Sequence, residues 1–192
     1  MTVITANPET SISRKISRAK ITKTTCVEVD YDQTITIQQA DSEKPLELSG
    51  ECPYKGRNIA HQDLIDAFRL LHPHFAILCD LKEVNNMTLH ELENNLNKID
   101  NIGVRSFSIG GSGDNEGVTL SGFKKIGNKM INLNTPFTKF DDENDPYTNM
   151  VELQHVINVI IEEVELYLDG KVAPDAQMSM DFGDEEEDDQ SY

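Results

Sequence analysis

The sequence predicts an α+β fold: an antiparallel sheet, built from a β-hairpin and a three-stranded meander, with helices packed on one face and a disordered acidic tail. Three observations predict it. Residues 102–140 divide into β-type segments, IGVRSFSIGG, GVTLSGFKKIG and KMINLNTPFTKF, separated by glycine-rich turns. Two stretches, after Ala60 and after Pro146, repeat apolar residues at helical spacing. The final residues, 175–192, hold eight acids and no base, a composition that cannot bury a core.

Taken in order, residues 1–20 read as a flexible basic arm. Arg14, Lys15, Arg18 and Lys20 outnumber Glu9 there. A single domain is expected over 21–170, followed by the tail at 171–192. Residues 21–40, ITKTTCVEVDYDQTITIQQA, are rich in Thr, Val, Ile and Tyr and predict two short strands around Tyr31-Asp32. Pro45, Gly50, Pro53 and Gly56 make 41–58 mostly loop, with a brief strand at Leu46–Leu48. Leu64, Ala67, Phe68 and Leu71 then mark a helix that Pro73 ends or kinks, and His74–Val84 continues as a buried apolar stretch. Thr88 with Glu91 spells a capping box, with Leu89, Leu92 and Leu96 behind it. In the meander, Gly110–Gly113 with Asp114-Asn115 forms one turn and Gly127-Asn128 the next. The last helix carries Val151, Val156, Val159, Ile160, Val164 and Leu168 and stops at Gly170.

Charge and cysteine usage exclude several classes. The chain of 192 residues has 17 Lys and Arg against 34 Asp and Glu, a net charge of −17. No apolar run approaches the roughly 18 residues that span a bilayer, and the N-terminus lacks the apolar core of a secretory signal, so a soluble cytoplasmic protein is expected. Cys26, Cys52 and Cys79 are odd in number and far apart, which argues against a disulfide framework or a zinc knuckle. His72 and His74 flank Pro73 and read as helix-end histidines favoured by the helix dipole; a metal shared by the two lacks a third ligand in sequence. The alternation of Asp141, Glu143 and Asp145 with Glu152 imitates a calcium loop, but Pro146 stands where such a loop needs glycine. GGSGDNEG at 110–117 precedes a strand rather than a helix and lacks the lysine of a phosphate-binding loop. Neither GxSxG nor HExxH is present. No catalytic residues, no cofactor and no metal are expected, and the protein is not read as an enzyme.

The meander is the candidate nucleic-acid surface. Residues 101–140 contain Arg105, Lys124, Lys125, Lys129 and Lys139 against only Asp114 and Glu116, a basic island in an acidic chain. Period-two alternation puts Thr119, Ser121, Phe123 and Lys125 on one face and Val118, Leu120 and Gly122 on the other; it places Arg105 with Phe107 and Ile109. A polar face carrying phenylalanine and lysine suits base stacking with phosphate contact. Arg105, Phe123, Lys124, Lys125 and Lys129 are therefore the expected binding residues.

Two resemblances concern the tail. Gln177-Met178-Ser179-Met180-Asp181-Phe182 resembles the peptide by which bacterial replication and repair proteins dock on the sliding clamp, with Met180 where leucine is commoner. The run Asp184 to Asp189 closed by Tyr192 resembles the acidic tails of bacterial and phage single-stranded DNA-binding proteins. These imply partner contacts through Gln177, Met180, Phe182 and Tyr192, with replication proteins or the clamp as partners. GVTLSGFKKI and INLNTPFTKF also look like small uncharacterised proteins of phage replication regions, which implies DNA metabolism in a bacterial host. The expectation is a non-enzymatic accessory protein of phage DNA replication or recombination that binds single-stranded DNA. The alternative is an acidic protein-interaction module, of the kind that mimics DNA, that binds a basic host or phage factor without touching nucleic acid.

Overall fold

Apolar residues alternate with charged and hydroxyl residues from Thr10 onward, and the first strand begins there. The computed structural model describes residues 10–38, 44–142 and 146–174. Strands β1 (Thr10–Ile21), β2 (Val27–Ile37) and β3 (Leu46–Lys55) are followed by helices α1 (Gln62–Arg69), α2 (Leu71–Leu78) and α3 (Leu89–Glu93). Strands β4 (Ile102–Gly110), β5 (Gly117–Ile126), β6 (Lys129–Asn134) and β7 (Thr138–Lys139) come next, and α4 (Met150–Leu168) closes the fold. One antiparallel sheet runs β3-β2-β1-β4-β5-β6, with β7 pairing β5. The α+β class, the antiparallel sheet and the helices on one face are as the sequence predicts.

Several boundaries differ. Residues 10–20 of the expected flexible arm form β1, so strand structure begins at Thr10, eleven residues before residue 21. A bulge at Ser17 hides this strand: Ile12, Arg14 and Ile16 share one phase, Ala19 and Ile21 the opposite one, and the bulge brings both sets to the same face. The two short strands expected in 21–40 are one continuous strand, β2, whose hairpin partner is β1; Thr25 at φ +58° turns the chain between them. The expected loop at 41–58 carries β3, ten residues long. Pro53 is tolerated because β3 is the outer strand, where a missing N–H need break no ladder. The third meander segment divides in two. Thr135 turns its buried hydroxyl inward to accept the Leu120 N–H at 3.0 Å, in place of a strand carbonyl, and Pro136 follows. The proposed tail contacts, Gln177, Met180, Phe182 and Tyr192, and the middle of the 141–152 acidic loop lie outside the described residues.

The helices follow local chemistry closely. Pro73 falls in the first turn of α2, where its missing N–H is of no consequence, so it starts a helix instead of ending one. Thr88 and Glu91 form the capping box of α3. In α4, Leu153, Val156, Ile157, Ile160, Val164 and Tyr167 form the buried stripe, and Gly170 at φ +104° ends it. The core lies between this helical layer and the sheet, with Phe68, Phe75, Phe107, Leu120 and Ile160 fully buried. Phe75 sits close against Gly122, where a Cβ would lie 2.3 Å from the Gly103 carbonyl and 2.9 Å from the Phe75 ring. Only glycine lets α2 approach the sheet so closely.

The histidines flanking Pro73 are not helix-end cations. They occupy the N-terminal turn of α2, where the dipole disfavours positive charge. His74 is fully buried with its Nδ1 3.0 Å from the Tyr147 hydroxyl, and burial lowers its pKa to about 4; burial, then Arg69, lowers that of His72 to about 4 as well. A folded pKa below the unfolded value means that the unfolded chain takes up the proton first. The associated stability is complete above about pH 6.5 and is lost as pH falls toward 4, about 3 kcal/mol for His74. Urea unfolding at pH 7 and pH 4.5 should therefore show a loss about 2 kcal/mol smaller in His74→Asn than in the parent. Equal losses in the two proteins would contradict the neutral, buried imidazole.

Candidate nucleic-acid interface

The four described helices lie on one side of the sheet, and the other side is polar. On that open side the meander brings together an aromatic ring and two cations. In the β4–β5 ladder Gly103 pairs with Phe123, Val104 with Gly122, and Ser106 with Ser121, leaving Arg105 as the extra residue of a bulge. The bulge keeps both Val104 and Phe107 in the core and puts Arg105 on the opposite side. The expected grouping of Arg105 with Phe107 and Ile109 is thus corrected: Phe107 is fully buried, and Arg105 stands with Phe123.

The geometry is that of a small platform. The Arg105 guanidinium carbon lies 4.6 Å from the centre of the half-buried Phe123 ring, and Lys125 Nζ lies 6.0 Å from it. Arg105 Nη2 also donates to the Met130 sulfur at 3.2 Å. The ring rests on Gly103, where a Cβ would come within 2.5 Å of it, so glycine forms its seat. Opposite on β6, Met130 pairs with Lys125, Asn132 with Phe123, and Asn134 with Ser121, which adds amides to the same side. Neither Arg105 nor Lys125 is ion-paired among the described residues, whereas most cations elsewhere on the sheet are.

Lys124 and Lys129 do not join them. Lys124 points to the helical side and holds Glu83 at 2.6 Å, with its side chain only 16% exposed. Its hydrogen bond is the main reason the Glu83 carboxyl titrates below the usual range. Lys129 pairs with Ile126 at the β5–β6 turn, so it is exposed but out of phase with Phe123. Sequence reasoning missed Gly103 as the ring's seat and Met130, Asn132 and Asn134 as neighbours. The alternation in KMINLN was the available signal.

The remainder of the open side has the opposite charge. At the seam, Arg18 meets Asp30 at 3.0 Å and Lys20 meets Glu28 at 2.7 Å. Beyond it Asp32 faces Glu51 directly across β2 and β3, and Glu47 lies four residues away along β3 on the same side. One face therefore runs from basic and aromatic at β4–β6, through paired charges at β1, to acidic at β2–β3. Among the described residues no group of three His, Cys, Asp or Glu is placed to hold a metal ion, and no helix is long and apolar enough to cross a membrane. The chain matches no protein-family model, no curated protein and no solved structure.

The two neighbouring lysines should differ in what they support. Glu83→Gln or Lys124→Gln should lower stability by about 0.5–1 kcal/mol in thermal unfolding, because a partly screened pair is lost. Lys125→Gln should change it by less than about 0.5 kcal/mol. Equal effects at Lys124 and Lys125 would contradict their assignment to opposite sides.

Proposed function

We propose that this protein is a non-enzymatic accessory factor of phage DNA replication or recombination that binds single-stranded DNA on the open side of its meander. The observation that carries this reading is the Arg105–Phe123–Lys125 cluster: an aromatic ring and two cations without carboxylate partners among the described residues, on a sheet face that none of the described helices covers. A base stacks on Phe123 or on the guanidinium plane that extends it, and phosphates meet Lys125 and Arg105. Ser121, Asn132 and Asn134 border the ring and offer hydrogen bonds to base edges or sugars. The acidic β2–β3 half repels the same strand, which confines it to β4–β6. The net charge of −17 makes the complex weak and strongly dependent on salt. Residues 177–192 recruit partners such as a sliding clamp, in the cytoplasm of the bacterial host.

A second reading rests on the acidic half. Two carboxylates placed directly opposite each other, Asp32 and Glu51, are unfavourable in a free sheet and would be relieved by a basic protein partner. In that case the acidic side, and not the platform, is the binding surface.

Fluorescence anisotropy of labelled oligo(dT) with the full chain decides between them. At low salt the parent should bind, with affinity falling steeply as salt rises. Arg105→Ala with Lys125→Ala should weaken binding about tenfold or more and reduce the salt slope by roughly one to two, while Lys124→Gln leaves both unchanged. Absence of binding at low salt, or equal affinity in the double variant, would overturn the nucleic-acid reading.

A further inference from the structure

Among the described residues the sheet ends in two unpaired edges, β3 on one side and β6 on the other. Just past β3, the Gly56 N–H donates to the Val27 carbonyl of β2 at 2.8 Å. Even-numbered residues of β3 therefore bond inward, while Glu47, Ser49 and Glu51 turn their N–H and carbonyl groups outward. At the other edge, the Thr135 N–H donates to the Leu120 carbonyl at 2.9 Å. Met130, Asn132 and Asn134 of β6 thus face outward in the same way. A free edge of this kind is a template for a further strand. Both edges also carry exposed apolar side chains, Leu48 on β3 and Met130 on β6.

The two edges differ in charge. Asp32, Glu51 and Glu47 mark the β3 edge, and none has an ion-pair partner among the described residues. The β6 edge has the opposite sign, because the Arg105 Nη2 contact with Met130 carries the guanidinium across β5 to the outer strand. Joining like edges would gather charges of one sign, which disfavours a symmetric pair. Joining unlike edges brings opposite charges together. Every pairing along the sheet is antiparallel, so β3 and β6 run in opposite directions. A second copy set beside the first, with the same side of its sheet facing up, therefore presents β6 antiparallel to β3. With Ser49 opposite Asn132 of that copy, Glu51 falls opposite Met130, one strand spacing of about 4.8 Å from the strand that holds the guanidinium. In the same register Glu47 meets Asn134, and on the helical side Leu48 meets Leu133.

We infer that this protein associates head to tail with further copies of itself, the acidic β3 edge of one joining the basic β6 edge of the next. Such a contact is heterologous and leaves a free edge at each end, so it builds open chains instead of closed dimers. It needs no nucleic acid and no foreign protein. Sedimentation velocity of the full chain tests it, without oligonucleotide, at about 0.1 M salt. There a Debye length of about 10 Å screens the net charge of −17 more than it does adjacent groups. The weight-average sedimentation coefficient should rise with protein concentration beyond that of a dimer. Ser49→Pro and Asn132→Pro each remove an outward N–H from one edge, and each variant alone should remain monomeric. Their equimolar mixture should form one-to-one dimers and nothing larger, because only one usable edge of each kind remains. Charge reversal supplies a second test at side chains that leave the ladders intact. Glu51→Lys and Arg105→Glu should each weaken association about tenfold or more, and the two together in one chain should restore it to within about threefold of the parent. A monomeric parent would overturn the assignment, and if that parent binds oligo(dT) the nucleic-acid reading stands without it. Association of either proline variant alone, a mixture that stays monomeric, or charge reversals that do not compensate would overturn it as well.

Discussion

Three residue pairs between β1 and β4 join the two halves of the sheet, and the rest of the architecture depends on that seam. At its centre Ala19 faces Phe107, both fully buried, and Phe107 packs toward Phe68 of α1 with ring centres 6.2 Å apart. Burying a phenylalanine of this kind contributes about 1.5–3 kcal/mol and fixes which side of the sheet the helices cover. Bulges stand on either side of the seam, at Ser17 in β1 and at Arg105 in β4. Each one changes the phase of its strand so that apolar residues on both sides of the bulge reach the same core. The bulge at Arg105 also delivers a cation to the open side.

α4 compensates for so narrow a junction. Its buried stripe spans both halves, and its C-terminal end is tied down by several polar contacts. Tyr167 donates to the Asn58 carbonyl at 2.6 Å, Asp169 meets Arg14, and Lys171 bridges Asp63 and Glu163 at 2.8 Å each. These partly exposed ion pairs contribute little individually. Their arrangement instead sets the position of the helix relative to β1. The separation of charge on the open side has a similar origin: β2 and β3 carry their acids at alternate positions, β4 to β6 carry none, and the salt-bridged residues of β1 and β2 keep the two regions apart.

Much of this fold is legible in the sequence where local chemistry is decisive. The turns of the meander, the Thr88–Glu91 capping box and the Gly170 stop each express a conformational requirement that few residues meet, and each stands where expected. The misreadings share one cause: a local rule overridden by pairing with a distant strand. β1 is invisible to a search for period-two alternation because its bulge shifts the phase, and it is long only because β2 lies against it. β3 tolerates Gly50 and Pro53 because it lies at the edge of the sheet. At the interface, alternation along β5 placed Phe123 and Lys125 correctly relative to Val118 and Leu120. The same rule applied across the bulge of β4 put Arg105 on the wrong side. The basic character of residues 101–140 concealed a division as well, since Lys124 belongs to the helical side and only Arg105 and Lys125 flank the ring. The seat provided by Gly103 depends on how separate strands meet, and no local pattern announces it.

The most direct test of the account is photo-crosslinking of the full chain to an oligo(dT) substituted with 5-iododeoxyuridine, at low salt, followed by mass spectrometry of the adduct. A base stacked on the meander platform places its reactive carbon against Phe123, so the adduct should map to that residue and disappear in Phe123→Leu. Adducts confined to other aromatic residues, such as Tyr31 or Tyr54 on the acidic half of the sheet, would contradict the account, as would efficient crosslinking that survives the Phe123→Leu substitution.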